Sequence, residues 1–448
     1  MTEHKPSAVL CSGKDSGAVD RVSKGKRLWL LLVIVLTGLW AVSGVQEIVL
    51  SKASLQRVLA TGPGASQSLD PSKGRPESEK KTNMRSAWGI AVATDEVLKL
   101  SSQLGVRDIV IYGGPGWQFN RGSWRMKVAS AADPSLQQSR AGYEDYLALR
   151  KRVESYGLRI AAIEGGFVHL PKYQDLVFGG PKRQQLIEEL IAEISDMGRA
   201  GIPIYGYHWM PGLVWRTQRA SIRGGAVSTA FDFDLVSAVD SIGACETVQA
   251  KKGWQIFCDY VAIAKGQNYA EEKLWQNLEY WIKAVTPVAE KVGIRLGIHP
   301  DDPPVPRLAG MPRLLRNHAA YRRLVGIYPS DSNGIEFCQG TFSEMEDDLY
   351  EAIRYFGQRN KILYVHFRNV SGRVPKFHEE FINTGYVGMY KAMRLYRDVG
   401  FKGVFIDDHC PDIEGDRPFQ DRDGGYQSRA FAQGYIQAML EAVQKQGG

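Results

Sequence analysis

The sequence predicts an α/β protein: a (β/α)8 TIM-type barrel over residues 84–448, preceded by an N-terminal hydrophobic segment and a disordered linker. Three observations predict it. Eight short, nearly continuous apolar runs alternate with amphipathic helical runs; such alternation belongs to a parallel sheet covered by helices, and eight units close a barrel. Most of the helical runs stop at a glycine, as helix C-termini often do. The apolar runs end on histidine, cysteine or carboxylate side chains, where a barrel of this type carries its chemistry.

The chain opens with a basic tail, 1–27, in which Arg21, Lys24, Lys26 and Arg27 stand before LWLLLVIVLTGLWAVSGV, residues 28–45. That run is uncharged and about as long as the ~20 residues that span a bilayer, so it reads as a transmembrane signal anchor with the N-terminus inside. Two competing readings are a cleaved signal peptide, with a small-residue site at Ala41-Val42-Ser43, and a start codon placed too far upstream, since Met84 stands just before the first strand. Residues 46–83, with TGPGASQSLDPSKGRPESEKKTN, have the Gly, Pro, Ser and charge content of a disordered linker.

From Met84 the strand candidates are AWGIAVA, VRDIVIYGG, LRIAAIEGG, IPIYGYHWM, IRLGIHP, GIEFCQG, KILYVHFRN and KGVFIDDHC. Helical runs such as TDEVLKLSSQLG, YEDYLALRKRVESYG, RQQLIEELIAEISDMG, EKLWQNLEYWIKAVTPVAEKVG, EMEDDLYEAIRYFG and MYKAMRLYRDVG separate them. The long stretch Gly212–Asn268 is then an excursion after strand four.

Composition narrows the function. With 44% hydrophobic and 23% charged residues this is a folded globular chain. The net charge of +7 invites a nucleic-acid reading, but residues 1–83 carry twelve Lys/Arg against seven Asp/Glu, so five of those charges lie outside the barrel and the remainder is near neutral. Five cysteines without CxxC spacing exclude a zinc ribbon or a disulfide framework, and a reducing compartment is their simplest setting. Gly113-Gly114-Pro115-Gly116 lacks the spacing and the helix start of a dinucleotide loop.

Strand three ends on Glu164, strand four on His208, strand five on His299, strand six on Cys338, strand seven on His366, and strand eight on Asp407, Asp408 and His409. Any one of these alone is more often a packed or hydrogen-bonded structural residue. Two imidazoles, a thiol and a carboxylate on four successive strand ends are a set that suits a divalent transition metal better than magnesium or calcium, which take oxygen shells. A barrel mouth also leaves room for substrate oxygens beside such an ion.

The strings IHPDDPPVPRLAGMPR, CQGTF, VHFRN, KFHEE, DDH and GGYQSRA, in this order, resemble the mannonate dehydratase family, as do HWMPGLVWRTQ and RGGAVSTAFD in the fourth unit. The resemblance runs from about Met84 to the end. It implies a metal-dependent barrel of the xylose isomerase-like superfamily, a hydro-lyase of hexuronate catabolism that converts D-mannonate to 2-keto-3-deoxy-D-gluconate and water with Mn2+ or Fe2+. It places the ligands on His299, Cys338, His366 and Asp408, and the acid-base pair on His409 and Tyr426; the bland readings are a hydrogen-bonding histidine and a helix-start tyrosine.

Further residues are weighed for substrate. Arg368, Arg307 and Arg313 are expected to offer a fork to a carboxylate, with surface solvation the alternative for each. His378 is a candidate for sugar hydroxyls, His208 and Glu164 line the wall of the same site, and Asp301 and Asp302 are placed to orient an imidazole or the arginines. The chain departs from typical members in three places: His208 stands where they carry asparagine, YGGPGWQFNRG where they have a histidine-rich loop, and strand three ends EGGFVHLPKYQD. The expected partner is a small-molecule sugar acid, with no nucleic acid; a membrane tether through 28–45 and a homodimer are left open. Residues 28–45 would anchor the protein in a membrane if translated and retained; otherwise it is cytoplasmic. Two other classes stay open: a sugar isomerase or epimerase on the same metal barrel, with Glu164 as base or ligand, and a membrane-tethered sugar-acid-binding protein without turnover.

Overall fold

The computed structural model describes residues 84–112, 117–120, 123–126, 141–165, 173–210, 214–237, 269–308, 311–420 and 422–445. The basic tail, the apolar run 28–45, the linker, the glycines at 113–116 and the stretch 238–268 lie outside the described residues. Among the described residues no helix is long and apolar enough to cross a membrane.

Each of the eight predicted runs forms a strand: β1 Arg85–Ile90, β2 Asp108–Ile111, β3 Arg159–Glu164, β4 Ile204–Tyr207, β5 Arg295–Ile298, β6 Asn333–Cys338, β7 Ile362–His366 and β8 Val404–Ile406. They close into one barrel in chain order, and every neighbouring pair is parallel. Several strands are shorter than the apolar runs that announce them. HWM after β4, HP after β5 and DDHC after β8 leave the ladder, which frees those side chains for the mouth.

The helices that cover the barrel are α1 Asp95–Gln103, α2 Tyr143–Glu154, α3 Arg183–Arg199, α4 Glu271–Val292, α5 His318–Ile327, α6 Leu349–Gly357, α7 Met389–Asp398 and α8 Tyr426–Lys445. Their ends follow local chemistry. Thr94 caps α1 by accepting from the Val97 amide, Asn317 caps α5 by accepting from Ala320, and α4 stops at Gly293 with a φ of 73° that an L side chain resists. Along α4, Leu274, Leu278, Trp281, Ile282, Val285 and Ala289 recur at three and four residues and are buried.

Strand alternation divides the core. Ile109, Ile111, Leu296, Ile298, Ile335, Phe337 and Phe405 belong to the large cluster shared with the helices. Ala87, Val110, Ala162, Tyr364, Val404 and Ile406 form a separate, smaller cluster inside the barrel.

The excursion after β4 is partly a roof. Gln218–Ser221 and Val227–Asp232 pair as a hairpin, and Lys376–His378 from the loop after β7 adds a third antiparallel strand, Phe377 opposite Phe231. Trp215, Phe231, Val236, Val305, Leu308, Val370 and Phe377 make a second core under this sheet. Loops after β4, β5 and β7 are thereby tied together over the C-terminal mouth. Asp412, in the loop after β8, joins them by exchanging both backbone hydrogen bonds with Val227.

Candidate metal centre

The register of β6 on β7 sets Cys338 opposite His366, and Glu336 opposite Tyr364 one layer deeper. A period of two along each strand therefore turns all four side chains to the barrel axis. His299 follows the last residue of β5, and its amide is held by the Tyr207 carbonyl at 2.9 Å. His299, Cys338 and His366 each offer a donor atom, all within 4.8 Å of one another, and all three residues are buried. Asp408, just past β8, brings Oδ2 to 3.4 Å from His366 Nδ1. The four strand-end residues singled out by sequence thus come together from four consecutive strands.

Their electrostatics fit metal ligation. His299 Nδ1 donates to the Pro300 carbonyl at 2.7 Å, which leaves Nε2 as the donor of a lone pair. Burial opposes ionisation of Cys338, yet the charge of Arg368 and the imidazoles of His299 and His366 carry its thiol well below the usual range, toward thiolate. Burial also opposes a charged His366, but Tyr112, Glu164, Asp408 and Cys338 together hold it well above an ordinary imidazole. Neither ring nitrogen of His366 has an aligned hydrogen bond, although the residue is only 2% exposed. Orphaned buried nitrogens beside a thiolate and a carboxylate are what a borderline divalent cation would satisfy.

A second acidic layer lies beneath. Glu164 Oε1 bonds His208 Nε2 at 3.0 Å, its Oε2 accepts from the Tyr364 hydroxyl at 3.4 Å, and the same oxygen is 3.3 Å from His366 Nε2. Glu336 Oε1 stands 3.1 Å from that nitrogen. The two carboxylates part company in charge: burial and then the Glu164 charge push Glu336 up to about 8, whereas His366 and His208 overcome burial and hold Glu164 well below the usual carboxylate range. Glu336 was not read as a site residue from sequence; the signal was there, a carboxylate inside the apolar run GIEFC. His208 stacks on His299, ring centroids 4.7 Å apart, so its imidazole serves the wall of the ligand cluster.

The arginines correct the sequence reading. Arg368 is 2% exposed, and its two terminal nitrogens are taken by Glu344 at 2.9 Å, Glu379 at 2.7 Å, Asp302 at 2.7 Å and Thr341 at 3.0 Å. A fork saturated by the protein's own carboxylates has no donor pair left for a substrate carboxylate. Arg216, which sequence left unassigned, completes this network through Asp302 at 2.5 Å and Glu379 at 2.5 Å. Arg313 is also fully buried, donating to the Asp302 carbonyl at 2.6 Å beside Asp301. It braces the HPDDPP loop. Arg307 is exposed and donates to the Tyr269 carbonyl at 3.3 Å, and His378 pairs with Glu380 at 3.1 Å in the roof. None of these contacts joins Arg307 or His378 to the ligand cluster.

The two acid-base candidates have different neighbours. His409 lies beside the ligands, with Nε2 3.6 Å from Asp408 Oδ2 and Nδ1 3.1 Å from Asp423 Oδ2. Burial works against its charge, but Asp408, Glu379 and Asp423 raise it above an ordinary imidazole. Its φ of 43° lies in the left-handed region, strain of ~1 kcal/mol or more that rigid surroundings tolerate at functional turns. Tyr426 opens α8: its ring meets Phe419 edge-on, the Arg417 guanidinium sits 3.9 Å above it, and burial, with the Glu96 charge, raises its hydroxyl above an ordinary phenol. The helix start and the Arg417 contact, both local, decide where that tyrosine goes.

Residues 131–447 match the family model of D-mannonate dehydratase. A mannonate dehydratase of Streptococcus suis (strain 05ZYH33) is 33% identical over 315 residues, 68% of this chain and 84% of its own length. Mannonate dehydratase 2 of Halalkalibacterium halodurans is 32% identical over 313 residues, 67% of this chain and 87% of its own. The crystal structure of the mannonate dehydratase from Streptococcus suis serotype 2 matches with a TM-score of 0.67 at 29% identity, covering 82% of this chain and 96% of that one.

Proposed function

Because this chain belongs to the D-mannonate dehydratase family of metal-dependent hydro-lyases, we propose that His299, Cys338, His366 and Asp408 hold one divalent cation, Mn2+ or Fe2+, and that His409 moves the proton in the dehydration of D-mannonate. The observation that carries this reading is the convergence of three buried donors within 4.8 Å, with the Asp408 carboxylate 3.4 Å from one of them.

When bound, the cation supplies stabilisation of the negative charge that builds on the substrate carboxylate and 2-hydroxyl as the C2 proton leaves. The protein's own groups do the rest. Net reaction removes a proton from C2 and hydroxide from C3, which leave together as one water; the resulting enol gives up its O–H proton, takes one at C3 and becomes the 2-keto-3-deoxy acid. Departure of the hydroxyl as water needs a proton donor, and His409, with Asp408 and Asp423 on its two ring nitrogens, is such a donor beside the ligand cluster. Arg368 and Arg216 fix Asp302, Glu344 and Glu379 beside the centre, with Arg368 Nε 3.4 Å from Asp408, so these buried carboxylates are held in place. The apolar roof rests on this network, with the Trp215 amide donating to the Asp302 carbonyl at 3.2 Å and Phe377 5.0 Å from the Arg216 guanidinium. It keeps bulk water from competing with a reacting hydroxyl.

The test is incubation of the purified full chain with D-mannonate, with and without added Mn2+, and detection of the 2-keto-3-deoxy product by periodate and thiobarbiturate. Product that appears only with metal supports the reading. An isomerised hexonate without the keto-deoxy product, or binding without turnover, refutes it.

A further inference from the structure

His366 has two nitrogens and a carboxylate environment on each. Nδ1 faces Asp408 Oδ2 at 3.4 Å; Nε2 faces Glu336 Oε1 at 3.1 Å and Glu164 Oε2 at 3.3 Å. Only one nitrogen of a neutral imidazole can give its lone pair to a cation, and the other then carries the proton. The two sides differ in what else they offer. On the Nδ1 side stands Asp408, one of the four residues that would hold the cation. On the Nε2 side stand the carboxylates of Glu336 and Glu164.

Glu336 is built to stay where it is. Its residue is 0% exposed, neither oxygen has an aligned hydrogen bond, and a methyl group on Gly206 would come within 2.6 Å of Oε2. Gly206 therefore keeps empty the space that the carboxylate fills. Glu164 is committed to His208 and Tyr364, and of the two carboxylates Glu336 comes nearer to Nε2, at 3.1 Å against 3.3 Å.

We infer that Glu336 is a positioning residue of the metal centre: it pins the His366 proton on Nε2, and so makes Nδ1 the nitrogen that binds the cation. This rests on the metal reading above and adds to it which atom binds and what orients it. His299 is the counterpart, its proton pinned on Nδ1 by the Pro300 carbonyl at 2.7 Å, so that it binds through Nε2. The carboxylate–imidazole–cation arrangement recurs in metal sites, and loss of the outer carboxylate costs ~10–100-fold in affinity.

Two measurements test it on the full chain. In the wild-type protein loaded with cobalt(II), proton NMR reports the ring C–H groups next to a bound nitrogen as strongly broadened. Nε2 has two such neighbours and Nδ1 one, so His299 and His366 together are expected to give three broad signals and one narrow one; four broad signals overturn the inference. In Glu336→Gln, cobalt affinity by chelator competition is expected to fall ~10–100-fold while elemental analysis still finds one ion per chain at saturation. Unchanged affinity overturns the inference, as does a wild-type protein that holds two ions and loses one in the variant, which would make Glu336 a ligand. Absence of any bound metal in the wild type would instead sink the metal reading itself, so the two failures are distinguishable.

Discussion

Replacing Arg216 with methionine removes one of the two cations that hold a buried cluster of carboxylates. In the native protein its guanidinium reaches both oxygens of Asp302, at 2.5 and 2.9 Å, and Glu379 at 2.5 Å, with Glu344 at 3.9 Å. Arg216→Met would leave Asp302, Glu344 and Glu379 to Arg368 alone. Breaking a buried pair by deleting one partner costs about 3–5 kcal/mol, because the remaining charge stays out of water. One relief is available. Glu344 is already pushed well above an ordinary carboxyl by burial and the Asp302 charge, and loss of the Arg216 charge would push it further up. A carboxyl whose folded value is raised destabilises the native state above that value, and the deficit shrinks as pH falls through it. Urea unfolding followed by tryptophan fluorescence at pH 8 and pH 6 should therefore show the larger loss at pH 8, with up to ~2.7 kcal/mol recovered over two pH units if one proton is taken up. A deficit below about 1 kcal/mol at both pH values would show that Arg216 is not needed to neutralise the cluster.

Other outcomes follow from the same geometry. Cys338→Ser and His299→Ala should each lose bound metal by elemental analysis of desalted protein while circular dichroism still reports a folded barrel; full retention in both would remove the site. His409→Asn should keep its metal yet lose ~10²–10⁴ in turnover, as expected for a general acid. Tyr426→Phe should fall far short of that ~10²-fold loss, because the charges acting on its hydroxyl are those of Glu96 and Arg417 rather than of any residue of the cluster; an inactive, metal-loaded variant would contradict the placement. Metal affinity should decline in acid, since His366, held above an ordinary imidazole, takes up a proton early as pH falls and the Cys338 thiolate, held low, does so later. Affinity independent of pH between 5 and 8 would exclude imidazole ligands.

Local periodicity was sufficient for the eight strands, the covering helices and their glycine stops, because alternation and helical spacing report which face of each segment is buried. Strand ends also marked His299, Cys338, His366 and the pair Asp407 and Asp408, of which the family resemblance singled out Asp408. Each stands at or just past the last paired residue of its strand, where a barrel must turn polar groups to the mouth. What a side chain faces across the barrel is a different matter, since it depends on partners far away in the chain. Arg368 and Arg313 look like substrate forks in sequence and become buried braces only because Asp301, Asp302, Glu344 and Glu379 arrive from other loops. The roof is equally non-local, with Phe231 and Phe377 meeting from the loops after β4 and β7. Glu336 is the sharpest case: in GIEFC it is one carboxylate in an apolar strand, and register alone sets it beneath Cys338, beside Tyr364 and within 3.1 Å of His366. Sequence determined which residue types line the barrel mouth; the tertiary structure decided their charge and their partners, because both are set by distance and burial, which no single segment contains.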